Sequence, residues 1–196
     1  MTDARIESNL LLQEFNNRGV NLWTVDLQSL PLVQGTATYS VPSNTITVLD
    51  AYITTGSGQT TNDRFIMPFG RSDYAAIPNK QMQGLPTSYW FDRLTSPTIT
   101  MWQVPDSGGP YTLNYYRYRQ VQDSILASGV NPDMPVRGID AYTAALSSRL
   151  ARMHAPAVLP EAKQEAERTF QIAAGQDTEN VPFGIIPMIG AYYGNN

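Results

Sequence analysis

An α+β fold is predicted: a helical bundle split by a β-rich insertion, barrel or sandwich, and followed by an extended C-terminal arm. Three observations predict it. Helical periodicity is confined to the two ends of the 196-residue chain. Between Val20 and Asp123 it gives way to short alternating runs punctuated by Gly and Pro. Beyond the last helix lies an uncharged apolar stretch broken by prolines and glycines. The boundaries follow from these changes of pattern. Residues 1–19 and 133–175 form the helical core, 20–132 the insertion and 176–196 the arm.

The first helix spans residues 3–18. Ile6, Leu10 and then Leu11 or Phe15 recur every three to four positions and predict its apolar face. Asp3 suits its first turn, and Gly19 suits the left-handed residue that ends a helix.

Six strands are expected in the insertion, at residues 36–41, 45–54, 64–68, 88–93, 98–104 and 111–119. Turn chemistry such as Pro42-Ser43-Asn44 and Gly56-Ser57-Gly58 bounds them. The last two, joined by Pro105-Asp106-Ser107-Gly108-Gly109-Pro110, are expected to form a hairpin. Alternation in the final strand puts Tyr111, Leu113, Tyr115, Arg117 and Arg119 on one face. A single helical turn is expected over Asp73 to Ala76.

After Pro135 the helical period returns. Ile139, Tyr142, Leu146, Leu150 and Met153 form one stripe, with Arg149 and Arg152 off it. Pro156 breaks this helix and Pro160 suits the first turn of the next. The last helix carries a narrow seam of Ala162, Ala166, Phe170 and Ala173, and Gly175 should end it. Small seam residues predict close approach to a neighbouring helix.

The arm residues Val181, Phe183, Ile185, Ile186, Met188, Ile189, Tyr192 and Tyr193 would be an aggregation hazard if left in water. Burial against another subunit is therefore expected, with packing on the chain's own body as the alternative.

The composition excludes several functions. There is no Cys, hence no disulfide, thiolate nucleophile or thiolate metal site. One histidine, His154, cannot build a multi-histidine centre and suits a helix terminus. No GxSxG, HExxH, Walker loop or GxGxxG is present, and Gly56-Ser57-Gly58 precedes no helix at which a phosphate could sit. Carboxylate pairs such as Glu7 with Glu14, or Asp92 with Asp106, are conceivable for a glycan hydrolase, but spacing selects neither. Tyr89, Trp90, Trp102, Tyr116 and Tyr118 could stack on sugars or bases, although packing explains them more simply.

Neither cofactor nor metal is expected. The net charge of −4 and the lack of a basic stripe argue against tight DNA binding. No apolar run reaches membrane-spanning length, and MTDARIES lacks a signal-peptide layout, so a soluble protein made in a cytoplasm is expected. Charged residues are only 15%, against roughly 25% in an average domain, so much of the surface is expected to meet protein. Eleven arginines against two lysines, with 11 tyrosines, point the same way.

Read in order, the segments resemble the head-to-tail adaptors, or tail accessory factors, of short-tailed bacteriophages. FNNRGVNLWTVD (Phe15 to Asp26) is similar to the end of the family's first helix and its Gly-x-Asn-Leu-Trp turn. QGTATYSVP (Gln34 to Pro42), GLPTSYWFDR (Gly84 to Arg93), SPTITMWQVPD (Ser96 to Asp106) and YTLNYYRYRQVQD (Tyr111 to Asp123) resemble its successive strands. DMPVRGIDAYTAALSSRLA (Asp133 to Ala151) resembles its Pro-led closing helix.

The resemblance implies a non-enzymatic virion protein at the head-tail junction, made in the host cytoplasm. It implies a homo-oligomeric ring, commonly of twelve subunits, bound beneath the portal protein. Tail nozzle or fibre proteins would lie below, and double-stranded DNA would pass through without sequence-specific binding. Another tail, baseplate or head-completion protein is the alternative; a wall hydrolase or carbohydrate-binding module is a more distant one. In this picture Ile139, Tyr142, Leu146, Leu150, Met153 and Phe170 belong to the helical core of the ring. The arm docks on the portal.

Overall fold

Helix α1 (Thr2–Asn17) opens the chain and ends at Gly19, which has the expected left-handed φ of 83°. The computed structural model describes residues 2–19, 22–121 and 132–178. The arm residues Val181 to Asn196 therefore lie outside the described residues.

A 3-10 turn (Leu22–Thr24) leads into nine strands. They are β1 (Val25–Pro31), β2 (Thr38–Ser40), β3 (Thr45–Thr55), β4 (Asn62–Pro68), β5 (Gln83–Gly84), β6 (Ser88–Asp92), β7 (Thr98–Trp102), β8 (Val104–Pro105) and β9 (Tyr111–Arg119). A short helix, α2 (Arg71–Ala76), interrupts them where one turn was expected. Two long helices close the chain, α3 (Val136–His154) and α4 (Leu159–Gln176).

Seven strands form one curled sheet, a half-barrel, in the order β1-β9-β3-β4-β6-β7-β2, and β5 pairs separately with β8. The barrel-or-sandwich alternative thus resolves into a single open sheet. Its inner face holds an apolar core. Leu113 of β9 sits opposite Leu30 on one side and Ile53 on the other, and Ala51 of β3 sits opposite both Ile66 and Tyr115. Ile99 and Met101 of β7 face Phe91 and Tyr89 of β6. Tyr111, Leu113, Tyr115 and Arg117 of β9 are all buried, as alternation predicted.

The expected hairpin between the last two strands does not form. β7 pairs with β6 and β2, and β9 pairs with β1 and β3. After Trp102 the chain is diverted: Val104 N donates to the Met82 carbonyl and β8 joins β5. The Asp106 turn then delivers the chain to the far side of the sheet, where β1 and β3 flank β9. Strand β1 is the one the alternation test misses. Its inward positions are Asp26, Gln28 and Leu30, so the apolar row is broken by a charge.

That charge has a partner. Arg117 is buried and donates from Nε and Nη2 to the Asp26 carboxylate, at 2.7 and 3.1 Å. Its Nη1 donates to Asn44 Oδ1 at 2.8 Å and to Thr45 Oγ1 at 2.6 Å. One guanidinium therefore ties β1, β9 and the start of β3 together.

The helices pack around a second core of Leu11, Leu12, Phe15, Tyr142, Ala145, Phe170 and Ala173. Two expectations about helix faces are corrected here. On α1, Ile6 and Leu10 point outward, 53% and 46% exposed, and Glu7 and Ser8 point inward with Leu11, Leu12 and Phe15. On α3 the buried residues are Gly138, Ala141, Tyr142, Ala145 and Ala151, with Arg149 also turned in toward α1. Of the expected stripe, Tyr142 is buried and Leu146 and Leu150 are half-buried, whereas Ile139 and Met153 are exposed. Polar inward residues on both helices find each other, which hydrophobic spacing alone does not reveal. Helix α4 begins with Pro160 in its first turn and runs one residue past Gly175 before Asp177 caps it.

Two tests follow from the sheet. Arg117→Met should lower unfolding free energy by about 2–3 kcal/mol, because Asp26 is left half-buried without its cation; urea denaturation would measure it. Burial, reinforced by the Asp50 charge, pushes the Tyr89 hydroxyl up to about 12. Unfolding lets that hydroxyl ionise near its ordinary value of about 10, so its contribution is full below that pH and is lost as pH climbs toward 12. Thermal melts between those limits should fall steeply, and Tyr89→Phe should flatten part of the fall.

Candidate interaction surfaces

No catalytic constellation assembles among the described residues. Glu7 and Glu14 do come together, but on opposite sides of one arginine. Arg149 donates through Nη1 to Glu7 Oε2 at 2.7 Å and through Nη2 to Glu14 Oε2 at 2.5 Å. Arg152 adds a contact to the other oxygen of Glu7 at 3.2 Å. Carboxylates so engaged are fasteners between α1 and α3, not a free acid and base. Asp92 and Asp106 do not meet: Asp92 lies opposite Thr98 at the start of β7, and Asp106 follows Pro105 at the end of β8. The Asp106 carboxyl is held below its usual range by the Tyr111 hydroxyl and then by the Gly108 amide, which makes it a turn-former.

His154 is the last residue of α3, exposed, with Nε2 4.0 Å from Asp3. No group of three or more His, Cys, Asp or Glu could hold a metal among the described residues. No described helix is long and apolar enough to cross a membrane. Gly56-Ser57-Gly58 is a turn, as expected. A Cβ on Gly56 would lie 2.7 Å from the Thr60 carbonyl oxygen, and its φ is 86°.

The strand aromatics are engaged in the fold. Trp90 stacks on Tyr74, which stacks on Phe69, with ring centroids 5.4 and 5.9 Å apart. Trp102 donates from its indole to the Asn79 carbonyl, and Tyr89 is buried. Tyr116 is exposed and Tyr118 half-buried on the outer face of β9. That face also carries a polar row across four strands. Ser29 donates to Asn114, Asn114 to Thr54, and Thr54 to Asp63, at 2.5, 2.8 and 2.5 Å.

A junction that spacing could not disclose joins sheet and helices. Arg119, at the end of β9, forks onto Asp133 at 2.5 and 3.1 Å, which holds the guanidinium above its ordinary value. The Asp133 carbonyl accepts the Trp23 indole. Asp177, buried beyond α4, accepts from the Leu22 amide at 3.0 Å and from Arg137 at 3.2 Å. Both aspartates stand where the pattern changes between element types, which is the only signal they leave in the sequence.

Two depressions lie on the helical unit. A groove of about 320 Å³ is walled by Pro132, Met134, Val136, Ile139, Tyr142 and Thr143 and is mostly apolar. The other, about 380 Å³, has Phe15 and Phe170 in its wall and Arg18, Arg149, Arg152, Lys163, Glu14 and Glu167 around it. Arg18 lies flat over the Phe170 ring at 3.4 Å and donates to Glu167. Exposed apolar residues are numerous on both units, including Ile6, Leu10, Val136, Ile139 and Ile172 on helices and Phe65 and Met67 on β4. The expected docking residues from Val181 to Tyr193 lie outside the described residues.

A family model described as SU10 adaptor protein matches residues 6–189. No curated protein matches the chain.

Replacing Arg149 with Met should cost about 2–4 kcal/mol, since Glu7 is buried and loses its principal cation. Glu14→Gln should cost less, because that carboxylate is 41% exposed. Chemical denaturation of both variants checks the order; equal losses would remove Glu7 from its central place.

Proposed function

The chain belongs to the SU10 adaptor protein family, whose members are structural, non-enzymatic phage virion adaptors, and from that premise we propose that it links the portal to the tail as a ring. The observation that carries the reading is the match over residues 6–189, nearly the whole chain. Twelve copies would close beneath the portal, with tail nozzle or fibre proteins below.

Residues 1–19 and 133–175 would form the ring's helical core, residues 20–132 would project toward the tail, and residues 176–196 would reach the portal. Double-stranded DNA would pass through the lumen. At −4 per chain, twelve copies carry roughly −48. A wall of that sign would not hold DNA by counterion release, which suits a conduit.

Docking by the arm would use Val181, Phe183, Ile185, Ile186, Met188, Ile189, Tyr192 and Tyr193. An extended apolar segment covers much area per residue, and ordering it on contact would make assembly sequential.

Deleting Val181 to Asn196 should leave a folded, soluble chain that no longer co-sediments with purified portal. An unfolded product would assign the segment to the chain's own core. Binding to nozzle but not to portal by the full chain would favour another tail, baseplate or head-completion part.

A further inference from the structure

We infer that in the free chain the segment just past Pro182 adds to the sheet as an extra strand, parallel to β1 and along its open edge. The inference goes beyond the portal reading. It places the arm before any portal is met, so its failure leaves that reading standing.

The seven-stranded sheet has two open edges, β1 and β2. Strand β2 is only three residues long, and a short edge offers little to pair with. Strand β1 has seven residues and runs for about 23 Å, blunted only by Pro31 at its far end. Its free backbone groups follow from the register. Leu32 N donates to the Tyr111 carbonyl, in phase with Leu30 opposite Leu113. Antiparallel bonding alternates, so Asp26, Gln28 and Leu30 bond to β9. Val25, Leu27 and Ser29 then direct their N–H and C=O groups away from the sheet. Among the described residues nothing meets the Leu27 and Ser29 amides, and the Leu27 side chain is 45% exposed.

The occupant follows from where the chain passes beyond the described residues. Asp177 accepts from the Leu22 amide at 3.0 Å, and the turn Leu22–Thr24 leads directly into β1. Residues 179–196 therefore depart from beside the start of the open edge. Continuing in the direction of β1 gives parallel pairing, and a few extended residues bring the chain level with Leu27. Composition fits this course, because Val181 to Asn196 carries no charged side chain to desolvate. Strand addition draws its affinity from main-chain bonds, which both partners have to offer.

The prolines set the phase. Pro182 and Pro187 have opposite parity, so both cannot turn their nitrogens away from β1. With the Gly184 and Ile186 amides facing β1, Pro187 faces away. Pro182 then stands at the start of the new strand, where a missing amide is tolerated. In this phase Phe183 and Ile185 share the outer face with Leu27, and Ile186 shares the inner face with Leu30.

Amide hydrogen exchange, read residue by residue by NMR, tests this in the full chain and in a chain ending at Asn180. The Leu27 and Ser29 amides should exchange about tenfold or more slowly in the full chain than in the shortened one. The Gln28 and Leu30 amides, bonded to β9, should be alike in both and verify that the sheet is intact. Should the shortened chain lose them as well, Ile186→Pro in the full chain decides. It removes an amide that faces the edge and should release Leu27 and Ser29 while sparing Gln28 and Leu30. Fast exchange at Leu27 and Ser29 in the full chain would show an open edge and overturn the inference. Equal protection with and without residues 181–196, or protection that Ile186→Pro leaves intact, would overturn it by giving the edge to another segment. Protection that grows with protein concentration would overturn it in favour of a second copy.

Discussion

Helix α1 and helix α3 are separated in the chain by more than a hundred residues of sheet and loop, and the Arg149 guanidinium is where they are locked together. Its two amino groups reach Glu7 and Glu14, two turns apart on α1, and so set both the distance and the axial register between the helices. Ser8 and Tyr142 meet hydroxyl to hydroxyl in the same interface, at 2.5 Å. Leu11, Leu12 and Phe15 can then close over Ala145 and Phe170, with the Phe15 and Phe170 rings edge to face 5.3 Å apart. Without the ionic register the same apolar residues could pack with α1 rotated toward Ile6 and Leu10, the face that hydrophobic spacing favours.

The same device recurs where sheet meets helix. Arg117 joins three strands, Arg119 fastens β9 to Asp133 just before α3, and Arg137 with the Leu22 amide holds Asp177 just after α4. Asp133 and Asp177 thus anchor both ends of the α3–α4 pair to the chain on either side of the sheet. Elements remote in sequence are fixed at their ends by directed, charge-assisted bonds and in their middles by apolar packing. This division suits a part that must present surfaces to neighbours at set angles.

Much of this fold was legible in the sequence, and the failures share a cause. Helices at both ends, the Gly19 terminus, the Pro160 start and five of the six expected strands lie close to where local periodicity and turn chemistry put them. The sixth, residues 98–104, splits into β7 and β8. What could not be read was anything decided by a distant partner. β1 hides because Asp26 faces inward to meet Arg117, 91 residues away. The inward turn of Arg149 hides because its partners lie 142 and 135 residues earlier. The β7–β9 hairpin was expected because adjacent strands usually pair, and it was overridden by β5 drawing β8 aside. For the candidate surfaces, the α3 stripe was visible, but its half-exposed state was not, since periodicity reports apolar faces without saying which one the chain itself covers.

The arginine excess takes on a different meaning in this light. Arg18, Arg117, Arg119, Arg137, Arg149, Arg152 and Arg168 all make salt bridges within the chain. The composition suggested arginine for contacts with other molecules, yet most of it serves to hold this one together. The outer faces carry Ile6, Leu10, Val136, Ile139, Phe65 and Met67 beside exposed charges such as Arg5, Arg64, Arg71 and Asp140. Apolar contact is non-directional and little affected by screening, whereas the internal ion pairs are directional and partly shielded from solvent. The two kinds of interaction therefore divide the work: directed charge defines the shape of the chain, and apolar side chains are left on its outside.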